Sequence, residues 1–238
     1  MHQLARCSQL CELDVDFRHI GPEQAIAALQ NLVKLRRLIV SGARIHDVLE
    51  ALPSLQSLQC GRNTDWRSKT SSASSECKLL DIQPHSALRF IELEHTTWYR
   101  FLPYLVPNLQ HIYIYIDDVI PSVSELLAWR HLVSLRLHVV DIDLPNGYVR
   151  RLLKGLPHLV TLNIVVGYFP WQDKLQVERP MLPKLTELVL RKCRCFTVEA
   201  ILGLQGLTWL DITGWGKVEY LALLKRSNGL GRWVAEAY

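Results

Sequence analysis

The chain contains 238 residues, of which 49% are apolar and 21% are charged, and its net charge is +4. This composition supplies ample apolar side chains for a packed core and argues against wholesale disorder, while so small a net charge argues against a nucleic-acid partner. The uncharged apolar runs are far shorter than the roughly 20 residues that a membrane-spanning helix requires, so we expect no membrane partner.

The N-terminal residues lack the charged and then apolar layout of a signal peptide, which favours a cytoplasmic or nuclear protein. The six cysteines include no Cys-x-x-Cys pair. Cys193 and Cys195 are too close in sequence for an easy disulfide, and no nearby histidine completes a zinc set. We therefore expect free thiols in a reducing compartment, with Cys193 and Cys195 as packing residues of the repeat and not as catalytic groups.

Leucine is unusually frequent, with 42 residues of 238, and it recurs in the pattern Leu-x-x-Leu-x-Leu when other aliphatic residues are allowed. Successive matches lie 20 to 33 residues apart and about 25 on average, inside the range of repeats built from one strand and one helix. The nine matches begin at Leu10, Leu35, Leu55, Leu88, Leu109, Leu132, Leu159, Leu185 and Leu207.

The segments between the matches have helical periodicity or helix-starting residues. They are residues 23–29, 48–52, 123–129, 148–153 and 198–202. Proline, which disfavours helix in the preceding residue, stands two residues before the pattern at Pro53, Pro107, Pro157 and Pro183. A short strand that recurs after a helical crossover predicts a parallel sheet.

With these motifs the chain resembles leucine-rich-repeat proteins over nearly its whole length. The resemblance implies an α/β solenoid of about nine repeats, with a parallel sheet on its concave face and helices on its convex face. We predict a single domain over 1–238, a mobile Ser-rich insertion at about 66–78 and a helical cap at about 218–238. The N-terminal edge is predicted to be the less well covered end, able to accept further domain structure.

Segments of the form Leu-Pro-x-Leu-x-x-Leu, such as 156–162, resemble the repeat region of F-box/leucine-rich-repeat proteins. That resemblance implies substrate recognition for a cullin ubiquitin ligase. The sequence contains no F-box, since its first repeat begins at Leu10, so a Skp1-type adaptor is expected only if an F-box is encoded elsewhere in the gene. The alternative is a scaffold or inhibitor unconnected with ubiquitination.

The motifs of catalysis are missing from the sequence. It contains no Gly-rich phosphate loop, no Gly-x-Ser-x-Gly elbow and no His-Glu-x-x-His pair. The carboxylate pairs Asp117-Asp118 and Asp141-x-Asp143 fit solvated turns better than a metal site. We expect a protein without cofactor or metal that is not an enzyme, with surface positions for the three histidines singled out, His46, His85 and His158.

Side chains alternate along a strand, so pattern positions three, five and seven should face away from the core. The first strand is acidic on that face, and the fourth to sixth strands present aromatic and charged residues suited to a protein interface. The candidate partner-binding residues are Phe90, Glu92, Glu94, His111, Tyr113, Tyr115, Arg136 and His138. The alternative interpretation is that these side chains only stabilise the sheet through cross-strand pairs.

Overall fold

The protein is described here by a computed structural model. The structure describes residues 7–43, 45–61, 83–94, 102–117, 120–140, 142, 144–145, 147–167, 182–193, 196–216 and 232–234. The chain folds into two compact units, an N-terminal unit of residues 1–110 and a C-terminal unit of residues 111–238. The predicted Ser-rich insertion at 66–78 lies outside the described residues.

The N-terminal unit contains four parallel strands that pair in chain order. The strands are β1 (Glu12–Asp16), β2 (Arg37–Ser41), β3 (Ser57–Cys60) and β4 (Phe90–Glu94). The helices are α1 (Pro22–Leu29), α2 (Ile45–Ala51) and the single turn α3 (Leu102–Leu105). Helices α1 and α2, which follow successive strands, pack against each other.

The C-terminal unit continues the same alternation of strand and helix with six parallel strands in chain order. The strands are β5 (His111–Ile116), β6 (Ser134–Val139), β7 (Thr161–Val166), β8 (Glu187–Arg191), β9 (Trp209–Asp211) and β10 (Arg232–Val234). The helices are α4 (Val123–Leu127), α5 (Tyr148–Gly155) and α6 (Val198–Leu202). A capping box starts α4, because Ser122 Oγ accepts from the Glu125 N–H while the Glu125 carboxylate accepts from the Ser122 N–H.

The repeat pattern sets the strand register. Each of β1 to β9 begins at pattern position three of its repeat, and the leucines of successive repeats lie opposite one another. Leu135, Leu162 and Leu188 are neighbours across β6, β7 and β8, and all three are fully buried. The prediction of an α/β leucine-rich-repeat solenoid with about nine repeats is confirmed.

Two local features differ from the sequence expectations. His85 is only 5% exposed, not a surface residue: its Nε2–H donates to the Leu52 carbonyl at 2.8 Å, and its Nδ1 accepts from the Leu88 N–H at 3.2 Å. The imidazole is buried because it bridges the Leu52 carbonyl and the Leu88 N–H, which belong to the turns before β3 and β4. In the segment 218–238, predicted to be a helical cap, the described residues form strand β10, and the others lie outside the described part.

Candidate functional site

The exposed side of the C-terminal sheet carries the candidate residues of β5 and β6. In register, Tyr113 lies beside Arg136, and Tyr115 lies beside His138. The alternate residues of β5 and β6 are buried apolar side chains, so the candidate residues must point away from the core. Tyr113, Tyr115 and His138 are half-buried and Arg136 is exposed.

Four of these side chains contact one another directly. Tyr113 Oη and His138 Nδ1 are hydrogen-bonded at 3.4 Å. The Tyr115 and His138 rings meet edge to face, with centroids 4.7 Å apart and an interplanar angle of 68°. The Arg136 guanidinium carbon lies 5.5 Å from the centroid of the Tyr113 ring, within the range of a cation–π contact. We call Tyr113, Tyr115, Arg136 and His138 the aromatic patch.

Arg136 differs electrostatically from Arg191, which lies at an outward position of β8. Arg191 is bound to Asp211, whose Oδ2 accepts from both Nε and a terminal nitrogen of Arg191 at 2.8 Å. Arg136 makes no ion pair with any residue in the described part of the chain, and its neighbours across the strands are Tyr113 and Asn163. Its charge is therefore not neutralised locally.

Asp211 lies at an outward pattern position of β9, yet it is only 2% exposed. Its Oδ1 accepts from the Thr213 hydroxyl at 2.7 Å and from the Thr213 N–H at 3.0 Å. Burial raises the pKa of Asp211, but the hydrogen bonds from Thr213 and Arg191 lower it by more, so its pKa lies below the ordinary 3.8. These contacts give Asp211 and Arg191 a structural role.

Asn163 lies on β7 next to Arg136. Its Oδ1 is buried and accepts no hydrogen bond from any described residue. Two apolar side chains lie near it on the same face, Val165 and Val189, both half-buried, and Val165 is also in register with Arg191. The aromatic patch thus borders an unsatisfied amide and two apolar side chains.

The remaining candidate residues are His111, in the C-terminal unit, and three residues of the N-terminal unit. His111 lies on β5 beside Ser134 and is half-buried. In the N-terminal unit, Phe90 and Glu92 are half-buried on β4, beside Ser57 and Gln59 of β3. Glu94 ends the same strand, and its side chain lies outside the described part.

Sequence reasoning did not select Asn163, Arg191 or Asp211 as candidates. All three occupy pattern positions five or seven, which were expected to face away from the core. Only their hydrogen bonding distinguishes them from the other residues at those positions. Asn163 stands among four apolar residues of the strand Thr161–Val166, and this was the available signal for it, because a polar side chain there needs a partner.

The described residues contain no group of three His, Cys, Asp or Glu side chains that could hold a metal ion. Of the two carboxylate pairs considered in the sequence, Asp118, Asp141 and Asp143 lie outside the described part. Cys60 and Cys193 are buried in the core, which fits the packing role predicted for Cys193. No helix among the described residues is long and apolar enough to span a bilayer.

No family model matches the sequence, and no curated protein matches it either. Among solved structures, the chain is similar to an internalin from Listeria monocytogenes, with 19% identity, a TM-score of 0.42, and coverage of 90% of this chain and 70% of the other. It is also similar to TLR13 in a complex with ssRNA13, with 16% identity and a TM-score of 0.41. The match covers 85% of this chain and 31% of the TLR13 chain.

Proposed function

We propose that this chain is a noncatalytic protein-binding module whose contact surface is the outward face of β5 and β6. The observation behind this proposal is the aromatic patch, in which two tyrosines, a histidine and an unpaired arginine lie on an accessible sheet face and hold one another in place. Tyrosine and arginine are the side chains most enriched among residues that dominate binding energy at protein interfaces.

The contacts among the side chains of the aromatic patch also affect its binding affinity. Ordering a side chain rich in rotamers costs about 0.5–1.5 kcal/mol on binding. The ring contact of Tyr115 with His138 and the stacking of Arg136 on Tyr113 restrict these side chains before a partner arrives. Binding therefore costs less side-chain conformational entropy at this face than it would at an unrestrained surface.

The charge balance of this face favours a polypeptide over a polyanion. Among the described outward residues of β5 to β9, Arg136 and Arg191 are balanced by Glu187 and Asp211. Nucleic acids are bound mainly through several cations that neutralise phosphates, and this face has no such excess.

The test begins with affinity capture of partners from the native cell, followed by calorimetry with each purified partner. Tyr113→Ala and Arg136→Ala should each weaken binding by at least about 1–2 kcal/mol without unfolding the chain. Tyr104→Ala and Arg130→Ala are matched controls, because both side chains are exposed and neither residue belongs to a strand: Tyr104 lies on α3 and Arg130 follows α4. Folded variants of Tyr113 and Arg136 that both bind at full strength would exclude this face.

We further propose, from the resemblance to F-box/leucine-rich-repeat proteins, that the bound protein is a substrate of a cullin ubiquitin ligase in the cytoplasm or nucleus. Segment 156–162, with its Leu-Pro-x-Leu-x-x-Leu form, supports this finer proposal. Co-purification of the natural gene product with a Skp1-type adaptor tests it. A partner complex without adaptor or cullin would favour the alternative, a scaffold or inhibitor unconnected with ubiquitination.

A further inference from the structure

We infer that the partner presents an acidic peptide segment, with one Asp or Glu carboxylate bound by Arg136 and an adjacent apolar side chain on Val165 and Val189. This inference rests on the proposed function, because it specifies the partner of the same face. Three observations support it: the unpaired charge of Arg136, the unsatisfied amide of Asn163 and the apolar surface beyond them.

The positive charge of Arg136 favours a carboxylate as the group that the partner presents to it. A guanidinium carries five N–H donors in a planar fork that matches the two oxygens of a carboxylate. Within the described residues Arg136 has no carboxylate partner, and its contact with the Tyr113 ring at 5.5 Å leaves the fork's donors unused. In contrast, Arg191 is already bound to the buried Asp211, whereas the N–H donors of Arg136 can bind a partner's carboxylate.

Asn163 suggests that the partner's backbone also binds. Asn163 is in register with Arg136 on the neighbouring strand, and neighbouring strands lie about 4.8 Å apart. Its Oδ1 is buried without a donor, which is costly in a folded protein. A modest rotation of the amide on binding would let it pair with a peptide group of the partner. An extended segment suits this geometry, since it offers peptide groups on both sides of an acidic side chain.

The neighbouring surface defines the rest of the segment. Val165 lies beside His138 across β6 and β7, and Val189 lies beside Asn163 across β7 and β8. Both are half-buried, so each retains apolar surface that a partner's aliphatic or aromatic side chain can cover. The expected motif is therefore an Asp or Glu with an apolar residue close to it in sequence.

The probe for this inference is a phage-displayed library of random dodecapeptides, selected on the full chain. Enriched peptides are then synthesised with a fluorescein label, each together with a version in which its Asp or Glu is replaced by Asn or Gln. Fluorescence anisotropy measures the affinity of each pair for the wild-type chain and for Arg136→Gln, Arg136→Glu, Tyr113→Ala and the control Arg130→Gln.

We expect the enriched peptides to share an Asp or Glu, and neutralising it to weaken binding at least tenfold. Arg136→Gln should abolish the difference in affinity between the acidic and neutral peptides, and Arg130→Gln should preserve it. With Arg136→Glu, the neutral peptide should bind more tightly than the acidic one. Peptides whose binding is weakened by Tyr113→Ala, but whose acidic and neutral versions bind equally well, would overturn this inference and leave the proposed function intact. Enriched peptides whose affinity is unchanged by every variant would count against both the inference and the proposed function. The absence of any enriched peptide would also count against both.

Discussion

At the scale of single residues, Asp211 shows that an outward strand position need not be exposed. Alternation along β9 directs its side chain away from the core, yet Thr213 and Arg191 cover both carboxylate oxygens. A buried carboxylate is tolerated because each oxygen accepts charge-assisted or hydroxyl hydrogen bonds. Its lowered pKa makes it a contributor to stability that depends on pH.

We predict that the protein loses stability as the pH falls below about 4, the ordinary range for Asp. Asp211 has a lowered pKa in the folded state, so its contribution is complete above the unfolded pKa and disappears as the pH falls through the folded one. Asp16 acts in the same direction, because hydrogen bonds from Arg18 lower its pKa to about 2. Urea denaturation at pH 7, 5, 4 and 3 measures the free energy of unfolding across this window.

The substitution Asp211→Asn measures the contribution of this buried carboxylate to the free energy of unfolding. The variant should be about 1–3 kcal/mol less stable at pH 7, the range for a lost hydrogen bond to a charged group, and its stability should fall less steeply between pH 5 and pH 3. Asp14→Asn is the matched control, because Asp14 is an exposed strand aspartate whose loss should change little. A pH dependence for Asp211→Asn as steep as that of the wild type would contradict the assignment.

The sequence predicted correctly which way strand side chains point, but it did not predict which polar side chains are buried. Period-two alternation correctly directed Tyr113, Tyr115, Arg136 and His138 away from the core, since strand geometry fixes it. It could not show that His85 would be buried, because that depends on carbonyl and N–H groups of two separate turns. Hydrogen bonds between residues far apart in the chain have no signature in a single sequence.

At the scale of secondary-structure elements, β6 to β8 depend on one another through the buried leucines of their shared core. We predict that Leu162→Ala costs roughly 2–5 kcal/mol, the usual range for a large-to-small core substitution, because Leu162 is fully buried between Leu135 and Leu188. Urea denaturation followed by circular dichroism measures this loss. Val160→Ala, at a half-buried position just before β7, should cost much less, and a loss below about 0.5 kcal/mol for Leu162→Ala would contradict the register.

The strands were predictable from the sequence wherever the leucine pattern repeats regularly. Nine matches to one pattern located nine strands, because each strand must bury the same three positions against its neighbours. Short elements outside the pattern were missed. Helix α3 is a single turn of four residues, and β10 has three residues, so neither is long enough to show a period.

At the scale of the whole molecule, the candidate site illustrates what a repeat sequence can and cannot specify. Register alone predicted that Tyr113 lies beside Arg136 and Tyr115 beside His138, since adjacent repeats align in the sheet. Which arginine is neutralised depends on Asp211, three strands beyond Arg136 in the order of the sheet. Binding surfaces of repeat proteins therefore follow from the register, while their charge follows from individual side-chain contacts.

The first described strand should be the least stable part of the N-terminal sheet. Its core-facing residues Leu13 and Val15 are half-buried, whereas the equivalent residues of β2, Leu38 and Val40, are 0% and 1% exposed. A repeat that is packed on one side only is stabilised less than one packed on both, and local opening exposes amides with low protection first. Hydrogen exchange followed by mass spectrometry should show faster exchange in residues 12–16 than in 37–41 or in the β9 segment 209–211. Exchange in β1 that is as slow as in both of those segments would mean that this edge is covered after all.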